Sequence, residues 1–152
     1  MVIEIIKSNL MKKVITFCLM LVIITSCSIN VVNNVKVDAA VAFEILKQDS
    51  YGGRDQKSTV VIKSHDELVK LYKELGWANV PTIDFSQNNV VALFMGQKNS
   101  GGYSIGVRKV TIEDNTATIN TVETKPEGMA TMALTAPYCI VVVAKTDKVV
   151  VE

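Results

Sequence analysis

Apolar and polar positions alternate along most of this chain, switch once to a helical spacing, and twice run together with no polar interruption. Residues 42–47 alternate weakly, with Phe43 and Ile45 on one side, and residues 59–63 are β-branched, so both predict strands. Leu68, Leu71, Tyr72 and Leu75 then fall at i, i+3, i+4 and i+7, the single apolar stripe of a helix. Ser64 is placed to cap its first turn, and Glu67, three residues on, completes a capping box. Asp66 and Glu67 suit the positive end of the helix dipole, and Gly76 is placed to end the helix. After a connection over 77–85 that contains Pro81, residues 89–95 are unbrokenly apolar and short, the mark of a strand buried on both faces. Residues 138–144, preceded by Pro137, repeat that mark. Between the two, residues 103–107 alternate with Tyr103, Ile105 and Val107 on one face, while Val110 and Ile112 carry the apolar phase onto even numbers. That change of phase predicts a bulge near Arg108. Glu113, Asp114 and Asn115 form a turn into a strand over 116–122. Residues 125–132 are irregular, and a last strand covers 149–151.

The order is two strands, a helix and five strands at hairpin spacing. It predicts an α+β fold, a mostly antiparallel β-sheet with one amphipathic helix packed on it. Two strands read as buried on both faces, yet one helix covers only part of one face. Either the sheet curls into a small barrel or sandwich, or a partner covers the remainder.

The amino-terminal pattern is different in kind. Lys12 and Lys13 precede an apolar run of eleven residues, 14–24, and Thr25 and Ser26 lead into Cys27. This is the anatomy of a secretory signal, and the run is shorter than the roughly 20 residues that span a bilayer. The boundary resembles the lipobox of bacterial lipoproteins. That resemblance implies cleavage before Cys27, a thioether-linked diacylglycerol on its sulfur, and residence on the extracytoplasmic face of a cell membrane. Residues 1–26 are thus expected to be a lipoprotein signal peptide, with Met11 the expected start. Residues 27–40, rich in Asn and Val, read as a tether holding the domain on the order of 20 Å from the bilayer. Residues 41–152 form a single domain.

Composition narrows the chemistry. Sixteen basic and fifteen acidic side chains give a net charge of +1, so there is no basic surface of the kind that neutralises phosphates, and no nucleic-acid partner is expected. A single histidine, His65, and three cysteines supply no ligand set for zinc or copper. Cys18 leaves with the signal and Cys27 is acylated. Cys139 is therefore alone in an apolar run, where it reads as a small buried hydrophobe. Residues 96–102 hold three glycines but neither a phosphate-loop motif nor a following helix. No catalytic residues, cofactor or metal are expected, and the protein reads as a non-enzyme.

Residues 90–105, with Gly96, Lys98 and Gly101-Gly102-Tyr103-Ser104-Ile105, are followed by Thr135, Pro137 and Tyr138 ahead of the last apolar run, and by Ile83-Asp84-Phe85 upstream. This ordered set, over roughly 81–145, resembles the PrcB C-terminal family, although Asn99-Ser100 stands where the family often has Pro-Thr. The resemblance implies a small lipoprotein that associates with an exported subtilisin-like protease and stabilises it. The candidate contacts are Gly96, Gly101, Gly102 and Tyr103 in one loop and Pro137 and Tyr138 in another, through main-chain pairing and aromatic anchoring. The glycines can equally serve a hairpin turn, and both tyrosines can equally be core residues. Two other roles stay open: a small β-rich protease inhibitor acting through the 96–103 loop, and a lipoprotein that binds a small ligand.

Overall fold

The structure, a computed structural model, describes residues 40–152. Seven strands and one helix follow in the order β1 (Glu44–Asp49), β2 (Ser58–Ile62), α1 (His65–Glu74), β3 (Asn88–Phe94), β4 (Ser104–Glu113), β5 (Thr116–Thr124), β6 (Tyr138–Ala144) and β7 (Lys148–Val151). They form a four-stranded sheet in the order β1-β6-β3-β2 and a three-stranded sheet in the order β4-β5-β7.

The two apolar runs explain the layering. β3 and β6 are the inner strands of the first sheet, paired from Asn88↔Ala144 to Phe94↔Tyr138. Successive side chains of a strand point to opposite faces. Val90, Ala92, Phe94, Tyr138, Ile140 and Val142 therefore pack with Leu68, Leu71 and Tyr72 of α1. Val91, Leu93, Met95, Cys139, Val141 and Val143 pack with Ile105, Val110 and Ile119 of the second sheet. Of the two ways to cover the second face, the sandwich is the one adopted: the protein's own second sheet lies there, without closing into a barrel.

The helix is set by its ends. The Glu67 N–H donates to Ser64 Oγ at 3.3 Å, while Glu67 Oε2 accepts the Lys63 N–H at 2.7 Å. At the other end the Gly76 N–H donates to the Lys73 carbonyl at 3.2 Å and the Trp77 N–H to the Tyr72 carbonyl at 2.8 Å. This is a Schellman closure with Gly76 at φ +68°. Trp77 then stacks edge-on to Tyr72 at 5.3 Å and against Tyr138 at 4.7 Å.

Three expectations need adjustment. β7 pairs with β5 in parallel, from Thr116↔Lys148 to Ile119↔Val151, because the turn at 145–147 leads from one sheet into the other instead of closing a hairpin. β1 starts later than its alternation suggests and bulges at Leu46. Phe43 consequently packs between the sheets and Leu46 under the helix, while Ile45 is exposed rather than sharing a face with Phe43. The bulge at Arg108 is where the phase change places it, between the pairs Val107↔Thr121 and Lys109↔Asn120.

The sandwich has two ends. The described chain starts at the near end, where Ala40 bridges Thr111 and the Val41 N–H donates to the Val110 carbonyl at 2.8 Å. The turns at 113–116 and 145–148 lie at this end. At the far end, beyond Phe94 and Tyr138, lie residues 50–57, 95–103 and 125–137.

Candidate functional site

Four of the six residues expected to meet a partner are buried: Gly96, Gly101, Pro137 and Tyr138. Gly102 is exposed and Tyr103 half-buried. All six lie at the far end, where long-range main-chain bonds knit the loops together. The Met95 N–H donates to the Pro137 carbonyl at 2.9 Å, and Gln97 N–H to the Asp55 carbonyl at 3.0 Å. Lys98 and Thr135 exchange two bonds, at 2.7 and 2.9 Å. Gly101 N–H donates to the Thr131 carbonyl at 2.9 Å, and Thr135 Oγ1 to the Ser100 carbonyl at 2.9 Å. Gly53 N–H donates to the Ala136 carbonyl at 2.9 Å, and Ala136 N–H to the Ser50 carbonyl at 3.0 Å.

These bonds give the paired glycines a purpose. Residues 125–136 lie as a strap across the 98–102 loop. A Cβ at position 101 would run into Thr131 Oγ1. At position 102, where φ is +86°, it would lie 2.9 Å from the Pro126 Cβ. No larger residue lets the strap sit this close. The 96–103 stretch is therefore a bed for the strap, and it does not project from the surface as a wedge.

The strap exposes charged Lys125 and Glu127 together with three large apolar side chains. Met129, Met132 and Leu134 are 106%, 100% and 65% exposed, and Tyr51, also at the far end, is 56% exposed. The strap and Tyr51 are tied through Ala136, which bonds to both Ser50 and Gly53. Four of the six exposed large hydrophobics among the described residues thus fall at one end of the molecule, whereas single exposed apolar residues scattered over a surface are ordinary. The spacing of Met129, Met132 and Leu134 fits neither a helix nor a strand, and they stand among small and polar residues. Apolar residues without a period were the only available signal, and the sequence reading passed over them as irregular.

Tyr138 takes the core role. It is 1% exposed, and burial, with lesser contributions from the Asp49 carboxylate and Tyr72, pushes its hydroxyl up to about 12. Tyr103 is partly packed between the sheets, with Lys98 Nζ 5.9 Å from its ring centre and its carbonyl accepting from Ser50 Oγ at 3.1 Å. Cys139 is fully buried. Burial pushes its thiol up to about 11, against a smaller opposing effect of the Val107 backbone, so it is a protonated hydrophobe at neutral pH. His65 is exposed at the first turn of α1. Among the described residues no three His, Cys, Asp or Glu side chains gather as a metal site, and no helix is long and apolar enough to cross a membrane. Cys27, Cys18, Met11 and the tether lie outside the described residues, apart from Ala40.

Residues 89–144, from the first buried strand through the strap to the second, match the family model described as PrcB C-terminal. Over that stretch the chain is similar to the PrcB C-terminal family. No curated protein and no solved structure matched the chain. The PrcB match takes in the bed, the strap and both central strands, but not α1, β1, β2 or β7. The glycine pair, Pro126 and Thr131 therefore lie inside the matched stretch, together with Met129, Met132 and Leu134.

Proposed function

We propose that this is a non-catalytic accessory lipoprotein, anchored through Cys27 to the extracytoplasmic face of the cell membrane, whose strap docks on an exported subtilisin-like protease and stabilises it. The observation that carries this reading is the pairing of exposure with fixation. Met129 and Met132 are fully in solvent, yet the strap that carries them is bonded to the 98–102 loop at Thr131, next to Met132, and at Thr135. A surface that presents flexible apolar side chains on a fixed main chain suits association at low ordering cost. The described chain starts at the other end of the sandwich, so a tether to the membrane leaves the strap free to meet a protein. The match of residues 89–144 to the PrcB C-terminal family model supports the same role.

The test is site-specific photo-crosslinking in intact cells. A benzophenone side chain at position 134, where Leu134 is exposed, should form an adduct with an exported protease, and the Met129→Ser/Met132→Ser background should lose that adduct and shorten the protease's lifetime. Equal adduct yield from position 65, on the helix, would overturn the reading. So would a domain that slows cleavage of a peptide substrate, which is inhibition. Cys27→Ala should separately release the protein from the membrane fraction.

A further inference from the structure

The two seams of the sandwich are closed in different ways. On the β1–β4 side, Gln48 Nε2 donates to the Ile105 carbonyl at 2.8 Å and Ser50 Oγ to the Tyr103 carbonyl at 3.1 Å. The Val41 N–H reaches the Val110 carbonyl at 2.8 Å. On the opposite side β2 ends one sheet and β7 ends the other. Among the described residues no main-chain bond joins these two strands. Only two lysine heads cross, Lys57 Nζ to Glu123 Oε1 at 2.7 Å and Lys63 Nζ to the Asp147 carbonyl at 3.1 Å.

The free edge of β2 also runs between two cavities, one on each face of its sheet. The helix-side cavity, about 290 Å³, sets exposed Glu67 and Lys70 beside buried Ile62 and Leu71. The inter-sheet cavity, about 220 Å³, is lined by Thr59, Leu93, Ile105 and Val151. An edge strand offers a row of main-chain donors and acceptors. A strand laid beside it would send alternate side chains into the two cavities.

We propose that β2 accepts an extended segment of a partner protein as a fifth strand of its sheet. That segment carries short aliphatic side chains toward the inter-sheet cavity and side chains with an apolar stem and a polar tip toward the helix. Charge selects the partner. Lys57 and Lys63 flank β2 symmetrically about Val60, so a second copy pairing antiparallel on that centre would set Lys57 against the other copy's Lys63, like charges directly opposed. A segment with an acidic residue at each end meets both lysines favourably. Without such a segment, the same lysines guard the edge against indiscriminate pairing.

The test uses the full-length protein in detergent and a capped peptide, Glu-Gln-Val-Gln-Val-Gln-Glu, whose valines fall opposite Thr59 and Val61 on the inter-sheet face when its ends meet Lys57 and Lys63. At saturation, amide exchange at residues 59–61 should slow about tenfold or more, as expected when edge amides become paired. The same peptide with lysine at both ends should bind at least about fivefold more weakly, and Lys57→Glu/Lys63→Glu should reverse that preference. Unchanged exchange across β2 overturns the proposal. Protection that rises with protein concentration in the absence of peptide also overturns it, in favour of self-pairing. The Met129→Ser/Met132→Ser protein should still take up the peptide, so failure here and failure of strap docking are distinguishable.

Discussion

At the near end of the sandwich each turn has a closure of its own as well as bonds to the turn beside it. At the far end the turns close on segments tens of residues away. Asp114 and Asn115, at φ +45° and +57°, form the two-residue hairpin turn whose twist matches its strands. Asp84 Oδ1 accepts from the Ser86 N–H at 2.9 Å, and Ser64 caps its own helix. At the far end Gly53 bonds to Ala136, Lys98 to Thr135 and Gly101 to Thr131. Local closure lets each near-end turn form on its own, and bonds such as the Asp147 N–H to the Asn115 carbonyl at 3.2 Å then join it to its neighbour. Long-range closure makes the far end one cooperative patch, and that patch is where the exposed methionines sit.

This contrast can be broken experimentally. The largest effect belongs to Tyr138, which anchors the far end from inside. Tyr138→Ala should cost roughly 3–5 kcal/mol, read as a lowered urea midpoint. Gly102→Val combines a strained φ with a clash at Pro126 and should cost roughly 2–4 kcal/mol. Its sharper signature is amide exchange that rises together at residues 53, 98, 101 and 135. If only residue 101 responds, the far end is not cooperative. Asn115→Ala, at the near end, should cost about 1 kcal/mol and raise exchange only around 113–116 and 147. Met129→Ser/Met132→Ser should change stability by less than about 0.5 kcal/mol while removing the protease adduct.

A further small effect is electrostatic and depends on pH. Arg54 holds Glu74 through bonds of 2.7 and 2.8 Å, and this hydrogen bonding keeps the Glu74 carboxyl below its usual range despite some desolvation. A carboxyl depressed in the folded state adds stability above its unfolded pKa, and that stability is lost as pH falls through the folded value. Glu74→Gln should therefore cost at most about 1 kcal/mol at neutral pH. The gap to wild type should close in acid, as read from urea midpoints across pH.

The same contrast decides what could be read in advance. The capping box, the Gly76 stop, the 113–116 turn and the Arg108 bulge are all specified by residues within a few positions of one another, and each lies where the sequence puts it. The burial of two strands on both faces also followed from their apolar runs, although not their pairing with each other. The strap did not follow. The sequence shows Gly101 and Gly102 but not that Thr131 and Pro126, more than twenty residues away, rest on them, because a glycine records a close approach without naming what approaches. Residues 96–103 consequently read as a binding loop, and the segment that covers them read as featureless. The parallel β5–β7 pair was missed for the same reason. Nothing local distinguishes a turn that returns to its own sheet from one that crosses to another.

The bulge at Arg108 gives β4 one position where a residue can be lost without changing which side chains face inward. On one side of it Ile105 points into the sandwich, and on the other Val110 does. Substituting Arg108, whose side chain is in solvent, leaves that arrangement alone. Removing the residue leaves Val107↔Thr121 and Lys109↔Asn120 as successive pairs, so regular alternation keeps both Ile105 and Val110 inward and only the bend and added twist of the bulge are lost. Deletions within β4 should therefore concentrate at this one position among related chains, a skew that counting gaps would reveal.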